Sequence, residues 1–142
     1  MKAFTRFEVL IPAVISLLLQ VHEAPAIEQN VLARLSLTRE SGVTAYEMLS
    51  GGEVRKKASE KVVRSIQVPA SDFEERIRPA LQEGLLRLDA HSAGKSPECQ
   101  SSLARIWVEG RGEFKVCEDD PVVREKIIDR ARAFEWILSQ KK

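Results

Sequence analysis

From Val31 to Leu37 the chain alternates: Val31, Ala33, Leu35 and Leu37 fall on one side, with Leu32, Arg34, Ser36 and Thr38 on the other. A period of two predicts a half-buried strand. Ser41-Gly42 ends it, and Val43 to Leu49 reads as a second strand, stopped by Ser50-Gly51-Gly52. The stretch that follows is basic and leaves two readings open, a strand or a connection. Its second half is extended, because Val62, Arg64, Ile66 and Val68 alternate again until Pro69.

The period then changes. Phe73, Ile77, Leu81, Leu85 and Leu88 recur at helical spacing, and Ser71 with Glu74 has the form of a capping box. Pro79 lies inside that stripe and predicts a kink or break near Arg78, and Gly84 weakens the helix further. A polar loop, His91 to Glu98, leads to a hairpin turning at Gly110-Arg111-Gly112. If Glu109 faces Glu113, then Arg105 lies opposite Cys117, Ile106 opposite Val116, Trp107 opposite Lys115 and Val108 opposite Phe114. In that register Ala104, Ile106, Val108, Phe114 and Val116 form the core face, and Leu103, Trp107 and Lys115 form the other.

Asp120 as N-cap and Pro121 at the first helical position open a final helix. Its buried stripe is Val123, Ile127, Ala131, Phe134 and Leu138, with Ile137 beside it, and Lys141 and Lys142 complement its C-terminal dipole. The order β-β-β-α-β-β-α predicts an α+β fold: an antiparallel sheet of about four to five strands with two helices packed on one face. The opposite sheet face is then left to solvent or to a partner.

The N-terminus changes where this fold is expected to work. Lys2 and Arg6 precede an apolar run from Val9 to Leu19, and Ala24-Pro25-Ala26 supplies small residues for cleavage. The run is about eleven residues, far short of the roughly 20 a membrane span needs. Residues 1–26 therefore read as a secretory signal peptide, and residues 27–142 as one globular domain with no stable membrane insertion after cleavage. Glu8 is atypical of such a leader and fits the alternative, an amphipathic first helix. Export to the periplasm or the extracellular medium places the chain's two cysteines, Cys99 and Cys117, under oxidising conditions. They are too far apart for a CxxC redox pair and too few for a zinc site, which leaves a structural disulfide.

Charge and chemistry narrow the function by subtraction. A net charge of +1 gives no general attraction to nucleic acid or anionic membranes. His91 lies in a loop without a nucleophile-elbow pattern, Gly51-Gly52 lacks the frame of a phosphate loop, and no cofactor motif is present. Glu118, or Glu113, with Asp119 and Asp120 could coordinate calcium, but their spacing is not that of an EF-hand and capping accounts for Asp120, so no metal is assigned. Two surfaces remain as candidates. Leu103, Trp107 and Lys115 form a face suited to a protein partner. Arg55, Lys56, Lys57, Lys61 and Arg64 form a basic stretch without interleaved aromatics, which argues against nucleic acid and for a charged strand edge.

No motif identifies a family. The reading is an exported, non-enzymatic binding module, an inhibitor or accessory protein using an exposed sheet face or an edge strand. The alternative is a carboxylate-based or metal-assisted hydrolase built on Glu113, Asp119 and Asp120, and the second alternative is a structural component of the cell envelope.

Overall fold

The computed structural model of the chain describes residues 30–92, 99 and 102–140. The expected leader, most of the loop after His91, and Lys141 with Lys142 lie outside the described residues. The strands are β1 (Val31–Arg39), β2 (Gly42–Leu49), β3 (Glu53–Ala58), β4 (Lys61–Gln67), β5 (Leu103–Val108) and β6 (Gly112–Cys117). They form one antiparallel sheet in the order β4-β3-β2-β1-β5-β6. Helix α1 (70–87) joins β4 to β5, and helix α2 (Pro121–Leu138) ends the fold. Both helices cover one face of the sheet, α1 over β1 and β5 and α2 over β3 and β4.

Alternation decides which side chains meet the helices. Ala33, Leu35, Met48, Val54, Ala104, Ile106 and Val116 are fully buried on the covered face, where they meet Phe73, Leu85, Ile127 and Phe134. Leu32 is buried too, although alternation sends it to the other side. A bulge between Val31 and Ala33 gives β1 one extra residue there, and the bent strand turns Leu32 inward.

The sheet has six strands, more than the pattern predicts, because the basic stretch is two strands. In β3 only Val54 is a buried hydrophobic residue, so apolar alternation has nothing to mark. The connecting turn is Ser59-Glu60, with φ of 49° and 73°, the left-handed pair that two-residue hairpins require.

Three local expectations need correction. The capping box does not form: Pro69 occupies the N-cap position of α1 with no side-chain cap, so the helix starts before Ser71 can cap it. Pro79 does not break α1 either. The chain passes from an α turn (Ala70–Asp72) through a π segment (Phe73–Ile77) into an α segment (Arg78–Arg87). Arg78 N–H reaches back five residues to Phe73 O, and this wider turn accommodates a ring that would strike the Glu75 carbonyl. In the hairpin, Trp107 lies opposite Glu113, Ile106 opposite Phe114 and Arg105 opposite Lys115. The register is displaced by two residues because the loop is Glu109-Gly110-Arg111, closed by Arg111 N–H to Val108 O at 3.0 Å. This keeps Glu109 and Glu113 from facing each other, and an even displacement leaves the core face unchanged.

Asp120 does cap α2, its carboxylate accepting from Val122 N–H at 2.8 Å. Cys99 and Cys117 form the disulfide, with Cα atoms 5.7 Å apart. It ties the chain arriving from α1 to the end of β6.

Gly52 fixes the other end of the sheet. Its φ is +90°, and an added Cβ would lie 2.9 Å from Val68 O. Gly52 O also accepts Val68 N–H at 2.9 Å, so the β2–β3 turn is bonded directly to the segment that starts α1. Gly52→Ala is expected to cost about 2 kcal/mol from strain and backbone displacement, read as a lower urea midpoint. An unchanged midpoint would show that this turn can relax freely.

Candidate functional site

The basic stretch does not make one basic surface. Strand alternation sends Arg55 and Lys57 to the open face of the sheet and Lys56 and Arg64 to the covered one, while Lys61 stands exposed beside the hairpin turn. Each pair meets its own carboxylate. On the covered side, Lys56 Nζ donates to Glu135 Oε2 at 2.7 Å and Arg64 lies 3.6 Å from Glu135 Oε1. Tyr46, stacked on Phe134, also donates its hydroxyl to Glu135 Oε2 at 2.7 Å. Burial by itself would raise the Glu135 carboxyl, but the hydrogen bonds from Lys56 and Tyr46 and the charges of Lys56 and Arg64 hold it below the ordinary range.

On the open face, Glu47 is 1% exposed at the centre of the sheet. Arg34 Nε on β1 donates to its Oε2 at 2.6 Å, Arg55 Nε on β3 donates to its Oε1 at 2.7 Å, and Lys57 Nζ lies 3.3 Å away. Burial opposes ionisation here too, and the hydrogen bonds from Arg55 and Arg34 with the charges of Arg34 and Lys57 more than reverse it. Glu47 is the structural centre of this face. Its signal in the sequence is a carboxylate inside the apolar run of β2, with Arg34 on the preceding strand.

Leu103, Trp107 and Lys115 all lie on the open face, Leu103 and Trp107 half-buried and Lys115 exposed. The acids considered for hydrolysis or for calcium lie at different places. Glu113 pairs across from Trp107, Asp120 caps α2, and Glu118 is buried under a two-pronged contact from Arg39 at 2.6 and 2.9 Å. The sulfurs close to Asp119 are bonded to each other and offer no thiolate to a metal. His91 Nε2 faces Lys126 Nζ at 3.2 Å.

The sheet's two edges are treated differently. Beside β6, Ser92 bridges to Val116 and Asp89 pairs with Arg111 at 2.7 Å, so the segment after α1 covers part of that edge. At the β4 edge, the half near the turn is guarded by Lys61, Arg64 and a bulge opposite Lys56 and Lys57. The other half is regular and uncharged: Ser65, Ile66 and Gln67. Val68 N–H bonds to Gly52 O, so by the alternation of antiparallel pairs Ile66 and Arg64 bond inward to β3. Ser65 and Gln67 then turn their backbone N–H and C=O groups outward.

Next to this half-edge, which no described residue pairs with, is a largely apolar cleft of about 450 Å³, lined among others by Ile66, Val68, Ile77 and Ile137. Trp136 on α2 forms its rim at 63% exposure, and a second hollow of about 240 Å³ continues on the other side of the indole against Ala80 and Ala133. Trp136 lies off the buried stripe of α2, on the outward face of that helix. Trp107 and Trp136 lie on opposite sides of the sheet.

No family model, no curated protein and no solved structure matches the chain.

Proposed function

We propose that the protein is an exported binding module that takes an extended segment of a partner protein as a seventh strand along β4. The observation that carries this reading is the coincidence of bare edge and cleft: the unguarded stretch Ser65–Gln67 runs beside the apolar hollow under Trp136. Strand addition uses main-chain hydrogen bonds for affinity and pockets for alternate side chains for specificity, and this place supplies both. Ser65 and Gln67 offer the hydrogen bonds, and the cleft receives every second side chain of the incoming strand. The disulfide supports the exported part of the reading, because such bridges persist in oxidising compartments.

Selection from a displayed library of short random peptides tests this. The expected winners carry apolar residues at alternate positions. They slow amide exchange at Ser65 and Gln67, and they bind Trp136→Ala about tenfold or more weakly. Trp136 is mostly exposed, so this variant keeps its fold. Peptides that protect a different surface, or that bind Trp136→Ala as tightly as the parent, would overturn the reading.

A further inference from the structure

The corrected hairpin register has a chemical outcome on the open face. Two rows cross strands β1, β5 and β6 there. One row is Arg34, Trp107 and Glu113, and the next is Ser36, Arg105 and Lys115. The second row contains a hydroxyl and two cations and no acid. Arg105 and Lys115 are direct cross-strand partners, both exposed. Like charges placed this way destabilise a sheet, and nothing in the row offsets them. A hollow of about 170 Å³ opens among Arg34, Ser36, Arg105, Trp107 and Glu113.

We infer that this hollow binds an acidic sugar unit of a glycan chain. Ser36 and Arg105 line the hollow, and Lys115 stands beside it as the cross-strand partner of Arg105; together they take one anionic group, a carboxylate or sulfate, whose charge relieves the repulsion within the row. The indole of Trp107, beside Arg105 on β5, gives an apolar wall for the face of a sugar ring. Glu113, across from Trp107, accepts hydrogen bonds from ring hydroxyls. Arg34 is held by Glu47 at 2.6 Å and serves as a fixed wall. The combination decides among polyanions. A nucleic acid strand calls for several stacking aromatics along its path, and among the described residues this face has one. A compact inorganic anion has no use for the Trp107–Glu113 side of the hollow. This surface lies across the sheet from the Trp136 cleft, and the inference does not depend on what binds there.

The test is calorimetric titration of the folded, oxidised protein with a heparin octasaccharide, followed by the indole resonance of Trp107. Inorganic sulfate, uncharged malto-oligosaccharide and oligo(dT) serve as comparison probes. The octasaccharide is expected to bind, to shift Trp107 and to weaken with salt. Arg105→Glu and Lys115→Glu should each reduce affinity about tenfold or more, as should Trp107→Ala. Lys126→Glu, on α2, should leave it unchanged. Weak sulfate binding that is lost in Arg105→Glu but kept in Trp107→Ala is the expected companion result. Equal affinity for oligo(dT), an equal loss with Lys126→Glu, or a Trp107 resonance that stays still at saturating octasaccharide would each overturn the inference. The charge-reversed variants relieve a like-charge pair, so they should be at least as stable as the parent, and lost binding is not lost folding.

Discussion

Replacing Glu47 with glutamine is expected to destabilise the fold by about 3 kcal/mol, the low end of the cost of removing one member of a buried ion pair. The side chain is 1% exposed and accepts from Arg34 and Arg55, with Lys57 third. Glutamine fills the space but leaves three cations around a neutral amide. They are 41%, 23% and 22% exposed, so solvent screens part of their repulsion and the high end is not reached. The same group sets a pH dependence. The Glu47 carboxyl is held below its ordinary value in the folded state, so between the two values the unfolded chain binds more protons. Its contribution is full above the unfolded carboxylate value of about 4.3 and is lost as pH falls through the folded one. Urea midpoints from neutral pH into the acid range should therefore fall more steeply for the parent than for Glu47→Gln. Parallel curves would remove Glu47 from the acid response, and Glu135 would then account for it, because its carboxyl is lowered in the same direction.

Removing the disulfide is the second large effect. A bridge over a separation of 18 residues restricts the unfolded chain by about 3 kcal/mol in the chain-entropy account. The paired variant Cys99→Ser with Cys117→Ser should lose about that much, with secondary structure retained, because β6 stays in register with β5 through Leu103 to Val108. The end of β6 should then exchange its amides faster, first at Glu118, whose N–H reaches Ser102 O at 3.1 Å. Equal stability of the double variant and the parent would mean that residual structure already restricts that loop in the unfolded ensemble. The cleft beside Trp136 and the hollow beside Trp107 should keep their shape in this variant, since neither is lined by a cysteine.

The sequence showed its fold class wherever burial writes a period. The alternation of β1 and β2 and the stripes of α1 and α2 are read directly, as is the Asp120-Pro121 start. It was silent at β3, where Lys56 faces the helix layer as a charge because Glu135 comes from α2 to meet it. No local pattern shows a partner 79 residues away. The hairpin register departs from the expected one for a related reason: parity is written in the side chains, but loop length is decided by the backbone at Gly110 and Gly112, both at positive φ. The candidate sites were legible in unequal measure. Trp107 and Lys115 could be placed on an open face from alternation alone. The β4 edge could not be found, because whether a strand is an edge is a property of sheet order, and that order depends on where β5 inserts.

That insertion sets a schedule for the chain. Strands β1 to β4 pair in succession with their sequence neighbours, so each can zip up as soon as it exists. Among the described residues the outer side of β1 has no such neighbour: Ala33 and Leu35 wait for Val108 and Ile106, which come after α1. Until they arrive, the strand that carries the fully buried Ala33 and Leu35 is a raw edge, and the first four strands are a half-built protein whose exposed seam is its future centre. A chain crossing a membrane N-terminus first would present that seam for the whole interval. The late step in folding is thus the closing of the middle, and any factor that escorts this protein should act on β1 before β5 is delivered.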